Sequence, residues 1–386
     1  MTTTPRFTSN SEVLATVQKV LTVVFLLCIF LLGVKGLGDG FKLLGRDLLQ
    51  GFFSATENPF IGLMVGILAT TLVQSSSVTT SMVVGLVAAP ENPLPIANAI
   101  PMIMGANIGT SVTNTAVSLA HMARRDEFRR AFAVATCHDF FNFLTVGILL
   151  PLELMTGYLR STATSLAFLL AGTGGYKFDS PLKAGLTVAF QPVIDLSEAL
   201  FERQQAQGVV IILISGVFIL GALFSLVKVM RTAMQSQVEA YITQFLGRSA
   251  VLSIFFGAIV TVMVQSSSIT TSLLVPLAGA GVITLAQAFP LTLGANIGTT
   301  VTALLASLAA TGENAEGGVI IALVHLLFNL TGIAMIYPVA AIRNIPMAGA
   351  RWFAEIAVKS RRWALVYVLV LFYGLPAFFS FLDRYL

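Results

Sequence analysis

Long apolar runs, broken by short clusters of small polar residues, set the pattern of this chain. Residues 21–37, 209–229 and 363–382 are almost wholly apolar, each close to the length of about 20 residues that a membrane-spanning helix takes. Residues 96–121 and 128–150 read as two further crossings. Residues 60–89 differ, being apolar at both ends with VQSSSVTTS at 73–81 in the middle. Such a segment reads as a re-entrant hairpin with the polar motif near its tip, because irregular backbone at membrane depth must line a cavity or be buried in protein. Residues 38–53 set Asp39, Lys42, Arg46 and Asp47 among leucines and phenylalanines, which suits an interfacial amphipathic helix. If that segment also crosses, the hairpin becomes a full span.

The pattern occurs twice. VQSSSITTS at 264–272 repeats the first motif, and GANIGT stands at both 105–110 and 294–299. His138 and Asn142 match His325 and Asn329, Pro151 matches Pro338, and Val34-Lys35 matches Val227-Lys228. A duplicated polar core in apolar surroundings is the signature of a transporter built from internal repeats, with its substrate where the copies meet. The expected fold is an all-α polytopic membrane protein of two inverted-topology repeats, each with a re-entrant hairpin and a broken helix, plus a C-terminal span. Its layout is a cytoplasmic segment (1–18), repeat one (19–158), an extracytoplasmic loop (159–207), repeat two (208–342), a basic cytoplasmic segment (343–362) and a C-terminal transmembrane helix (363–386).

Charge supplies the orientation. The chain is 56% hydrophobic and only 10% charged, against roughly 25% charged in soluble domains. Residues 124–130 carry Arg124, Arg125, Arg129 and Arg130, whereas their counterpart at 311–316 has two acids and no base. Cytoplasmic loops are the basic ones, so the first loop is read as cytoplasmic and the second as external, which inverts the copies. An odd number of crossings per copy follows, and the three spans of copy one then leave 60–89 as the hairpin. The net charge of +4 sits in short loops and gives no nucleic-acid signal. No cleavable signal peptide is expected at 1–12. Cys28 and Cys137 lie in apolar segments, so no disulfide framework is expected.

Glu91 is the only charged residue between Pro59 and Ala120, and none lies between Ser249 and Gly312. A charged substrate held there meets hydroxyls, amides, backbone dipoles and co-bound ions. Helix N-termini favour anions, while carbonyls and Ser, Thr, Asn and Gln oxygens suit a hard cation such as Na+. Each QSSS offers an amide and three hydroxyls at the start of a half-helix. Each GANIGT offers glycine hinges, Asn107 or Asn296, and Thr113 or Thr302 downstream. Small polar residues in membrane helices also serve close packing, but duplication of the whole set favours a binding site. Asp139 is the only acid of its span and faces Leu326 in copy two. A carboxylate at the bilayer centre is functional by default, as a cation ligand or proton carrier, unless it pairs with Arg129 or Arg130. His138 and His325 read as hydrogen-bonding partners of neighbouring helices, Asn142 and Asn329 as either ligands or packing residues, and the aromatic C-terminal span as a packing helix.

These motifs, with FRRAFAVATCHDFFN at 128–142 and PLTLGANIGTTVTALLASLA at 290–309, resemble the type II sodium-dependent phosphate cotransporter family over essentially the whole chain. The resemblance implies uptake of inorganic phosphate driven by the sodium gradient, with no enzymatic step and no organic cofactor. It implies phosphate at Ser75, Ser76, Ser77, Ser266 and Ser267, with Thr110 and Ser111. Sodium is implied at Gln265, Ser266, Ser268, Thr299 and Thr302, with a further ion and net charge movement at Asp139 beside Asn142; Gln74, Asn107 and Asn296 join the sodium candidates on their own chemistry. Ala295 replaces the family's serine, and His121 and Arg124 replace polar or acidic residues. The short, cysteine-free loop between repeats points to a bacterial inner-membrane form; the one clear span after repeat two puts the C-terminus outside, and no regulatory cytoplasmic domain is expected. The partners expected are phosphate, Na+ and lipid, with the oligomeric state open. Other readings of the core are transport of another oxyanion or a small carboxylate, a passive channel, and an intramembrane serine hydrolase. The last lacks a GxSxG elbow and a single activated serine.

Overall fold

The structure, a computed structural model, describes residues 10–44, 56–172, 181–245, 249–310 and 314–382. Among them every regular element is a helix. Copy one holds α1 (Asn10–Leu44), α2 (Pro59–Val73), α3 (Ser76–Val87), α4 (Ile96–Thr110), α5 (Val112–Leu119) and α6 (Arg125–Thr156). Next come α7 (Tyr158–Gly172) and α8 (Pro181–Leu200). Copy two holds α9 (Gln204–Phe245), α10 (Ala250–Val264), α11 (Ser267–Gly279), α12 (Leu285–Ser307) and α13 (Ala315–Ile336). The chain closes on α14 (Ala340–Lys359), α15 (Arg362–Tyr367), a π-helix (Val368–Gly374) and α16 (Leu375–Leu382). Six segments among the described residues are long and apolar enough to cross a bilayer: Val17–Gly40, Arg125–Thr156, Gln204–Leu226, Leu285–Ser307, Ala315–Ile336 and Arg362–Ser380. This is an all-α, multi-pass membrane protein.

The glycines of GANIGT are packing residues, and the expectation that they act as hinges is corrected. Helix α12 runs unbroken through its copy of the motif, and in copy one the only interruption is Ser111, between α4 and α5. A methyl placed on Gly105 would fall 2.1 Å from the Leu63 carbonyl oxygen, and one on Gly294 would fall 1.9 Å from that of Ile254. Gly66 and Gly257 face back the same way, onto the carbonyls of Met102 and Leu291. Backbones therefore meet directly along α2–α4 and α10–α12, the small-residue contact that holds membrane helices together without a hydrophobic drive. Gly294→Val should cost about 3 kcal/mol or more by overpacking, read as a fall in the Tm of the purified protein. An unchanged Tm would show that these helices can part freely.

Packing is reciprocal between the copies. Helix α6 lies against α11 and α12, while its counterpart α13 lies against α3 and α4. Helices α1 and α9, which open the two copies, pack along their length through Gly33, Gly36 and Gly40. Residues 159–207, read as a joining loop, contain α7 and α8; α7 packs on α13 as α14 packs on α6. The Glu153 carboxylate fixes the start of α7 by accepting from the Leu159 backbone N–H at 2.5 Å. The basic stretch 124–130 is the first turn of α6 with Arg124 at its N-cap, not a loop. Of the expected amphipathic helix at 38–53, residues 38–44 continue α1, where Lys35 bonds Asp39 one turn on. Residues 45–53 lie outside the described residues.

Candidate functional site

Both QSSS motifs break a helix in the same way. Gln74 caps α2 with φ 57 and ψ 26, and Gln265 caps α10 with φ 56 and ψ 27. A side chain other than glycine, asparagine or aspartate held in the left-handed region costs about 1–2 kcal/mol, and such strain persists where the surroundings over-determine it. What determines it here is the glutamine amide. Gln74 Nε2 donates to the Thr71 carbonyl at 2.5 Å and its Oε1 accepts from Thr113 at 3.0 Å. Gln265 does the same with Val262 at 2.6 Å and Thr302 at 3.2 Å. Ser75 and Ser266 then cap α3 and α11, accepting from Val78 N and Ile269 N.

The two breaks face one cavity of about 180 Å3, walled by Gln74, Ser75, Ser76 and Ser77 from copy one and by Gln265, Ser266, Ser267 and Ser268 from copy two. Leu223 and Phe224 of α9 and Ile269 complete it, so no wall residue is charged. Two helix N-termini bring Ser76, Ser77, Ser267 and Ser268 to the wall of the same space, and oriented N–H dipoles there attract anions. The C-terminal ends of α2 and α10 lie alongside, presenting carbonyls that suit a hard cation. Anion and cation can thus sit in contact without a charged side chain.

The remaining expected residues lie elsewhere. Thr110, Ser111 and Thr299 bond to carbonyls of their own helices, those of Ala106, Ile108 and Ala295. Asn107, Asn296 and Asn142 form a lattice that crosses between the copies. Asn296 donates to Asn142 Oδ1 at 3.2 Å, Asn142 donates to the Asn107 carbonyl at 2.8 Å, and Asn329 donates to Asn107 Oδ1 at 3.2 Å. His138 joins it through Asn296 at 2.7 Å, as a histidine serving a neighbouring helix. Asn114 ties α5 to α11 by accepting from Thr271 at 2.8 Å and Ser272 at 3.1 Å. None of these side chains lines the cavity.

Asp139 is fully buried, and its partner is neither Arg129 nor Arg130. Oδ2 accepts from Tyr367 at 2.8 Å and from Thr115 at 3.5 Å, while Oδ1 has no partner. Tyr367 belongs to the C-terminal span that the sequence presents as a packing helix, and Tyr373 reaches Gln74 Nε2 at 3.4 Å. Tyr367 directly precedes the π-helix and Tyr373 lies within it, a form that recurs at functional sites. Sequence could have flagged Thr115, because Thr115 and Asp139 both become leucine in copy two, Leu304 and Leu326. No such signal marks Tyr367, which has no counterpart.

The family model described as Na+/Pi-cotransporter matches residues 29–173 and 217–377. The chain is 34% identical over 438 residues to sodium-dependent phosphate transport protein 2B of Homo sapiens, covering 90% of this chain and 62% of that protein. It is 35% identical over 433 residues to protein 2A of Ovis aries, covering 94% of this chain and 67% of that one. The chain thus spans a little under two thirds of the human relative it matches. No solved structure matches it.

Proposed function

The chain belongs to the Na+/Pi-cotransporter family, and from that premise we propose that it is a symporter coupling inward sodium movement to uptake of inorganic phosphate. The observation that carries this reading is the uncharged cavity where the two QSSS breaks meet. Phosphate sits against the N-termini of α3 and α11, with the hydroxyls of Ser76, Ser77 and Ser267 donating to its oxygens. Sodium sits beside it, held by Gln74, Gln265, Ser266 and Ser268 with helix-end carbonyls, and neutralises part of the anion's charge. Each ion makes the site favourable for the other, which is the coupling free energy that symport requires.

The copies run in opposite directions through the membrane, and the reciprocal packing of α6 and α13 supports that arrangement. The basic ends at Arg124–Arg130 and around α14 face the cytoplasm. Asp139 holds a further cation in copy one only, so each cycle moves net charge. The asparagine lattice is the seam between the copies, and Asn107, Asn142 and Asn296 act on sodium by fixing that seam.

The test is uptake of labelled phosphate into proteoliposomes under an inward sodium gradient, with potassium as the control and sulfate and succinate as competitors. Sodium-dependent accumulation that neither competitor blocks is the expected result. Uptake indifferent to sodium, or blocked by sulfate or succinate, would overturn the phosphate assignment.

A further inference from the structure

Away from the serine cavity, a second cavity of about 420 Å3 opens between α6, α14 and the turn that follows α11. Its walls carry three guanidinium groups, Arg129, Arg130 and Arg351, against one carboxylate, Glu355. Its floor is apolar, formed by Ala133, Val134, Ala278, Ile283, Leu285 and Ala354. The arginines differ in how far the protein already engages them. Arg130 caps the C-terminal end of α11, donating to the carbonyls of Ala278 at 3.1 Å and Gly279 at 3.0 Å. Arg129 is paired with Glu355 at 3.3 Å and Asp126 at 3.4 Å. Arg351 is exposed, and among the described residues no hydrogen bond or ion pair engages it.

We propose that this cavity binds the phosphodiester headgroup of an anionic membrane lipid, with Arg351 as its principal ligand and Arg129 as its second. Guanidinium forks match phosphate oxygens and form charge-assisted bonds to them. Basic pockets between membrane helices bind anionic headgroups on the same principle. The apolar floor separates a lipid from free phosphate, because it gives an acyl chain a surface and gives a hydrated ion nothing. Trp352 and Trp363, 63% and 54% exposed on the adjoining helices, are of the type that anchors helices at headgroup level.

A lipid here touches α6, α14 and, through Arg130, the C-terminal end of α11. The opposite end of α11 begins at Ser267 in the serine cavity. Occupancy therefore braces the half-helix that forms one wall of the transport site, although the binding itself does not depend on what the protein transports.

The experiment compares the full-length protein in nanodiscs of phosphatidylcholine alone with nanodiscs containing phosphatidylglycerol, reading Tm and the lipid retained in native mass spectrometry. Arg351→Gln is the variant of choice, because no internal hydrogen bond or ion pair is lost with it, and its Tm in phosphatidylcholine should stay close to the wild-type value. Phosphatidylglycerol should raise the wild-type Tm and remain bound. Arg351→Gln should weaken that retention about tenfold, the loss of one charge-assisted bond, and lose most of the rise in Tm. A rise equal in both proteins, or absent from the wild type, would overturn the proposal. Inorganic phosphate added to the phosphatidylcholine discs supplies the other arm. Stabilisation by phosphate that Arg351→Gln abolishes, without an effect of phosphatidylglycerol, would assign the cavity to the free ion and reject the lipid.

Discussion

Gln265→Ala is expected to remove sodium-driven phosphate uptake while the protein still reaches the membrane folded. Gln265 has three tasks at one point: its backbone makes the left-handed turn between α10 and α11, its Nε2 caps the Val262 carbonyl, and its Oε1 accepts from Thr302. Losing the amide frees Thr302 and removes an oxygen from the proposed sodium shell. Two such interactions, one of them to an ion, amount to ~3 kcal/mol, or roughly two orders of magnitude in apparent sodium affinity. Alanine keeps the strained turn without the side chain that enforces it, so Gln265→Gly is the informative companion. Glycine adopts the turn freely and should hold Tm close to the wild-type value while uptake stays lost. Recovery of uptake in Gln265→Gly would mean that only the bend matters and that the amide is no ligand. Gln74→Ala tests the symmetric counterpart, and a much smaller effect there would place sodium on the copy-two side of the cavity.

The glutamine motif was legible in sequence because it occurs twice, in surroundings with almost no charge to compete for attention. The convergence of Ser75–Ser77 with Ser266–Ser268 on one space follows from the same duplication. Residue identity does not carry dihedral angles, so nothing in QSSS announces that its glutamine takes a positive φ. The glycines of GANIGT misled for a related reason: glycine permits a hinge and also permits contact between backbones, and only Leu63 and Ile254 lying opposite them decide between the two. Asn107, Asn142 and Asn296 look like ligands one by one, yet the amides of each copy close on those of the other, a long-range pairing that no local pattern encodes. The helices α7 and α8 were hidden by polar composition. Hydropathy measures suitability for lipid, and a helix with one face packed on protein need not be apolar all round.

Asp139→Gly is expected to leave sodium-coupled uptake intact and to remove the net current that accompanies it. A buried carboxylate with one oxygen unpartnered and no cationic side chain beside it is costly unless it takes a proton or a cation occupies the site for part of the cycle, and the proposed symport assigns it the cation. Copy two cannot offer an equivalent, because Leu304 and Leu326 replace Thr115 and Asp139. On the proposed mechanism the charge imbalance belongs to copy one alone, and removing the carboxylate with its proposed ion should make the cycle electroneutral. Phosphate uptake into proteoliposomes at an imposed membrane potential reads this directly: voltage should accelerate the wild type and leave Asp139→Gly unchanged. Equal voltage dependence in both would show that Asp139 carries no transported ion. Tyr367→Phe separates the carboxylate from its donor. The ring contacts to Phe353 at 4.7 Å and Phe372 at 5.7 Å persist, while the hydroxyl that donates to Oδ2 is lost. About 1 kcal/mol for that bond predicts a roughly fivefold weaker apparent sodium affinity with the current at saturating sodium retained. Loss of current at every sodium concentration would instead make the tyrosine a structural strut, and an unchanged affinity would detach the C-terminal span from the cation site altogether.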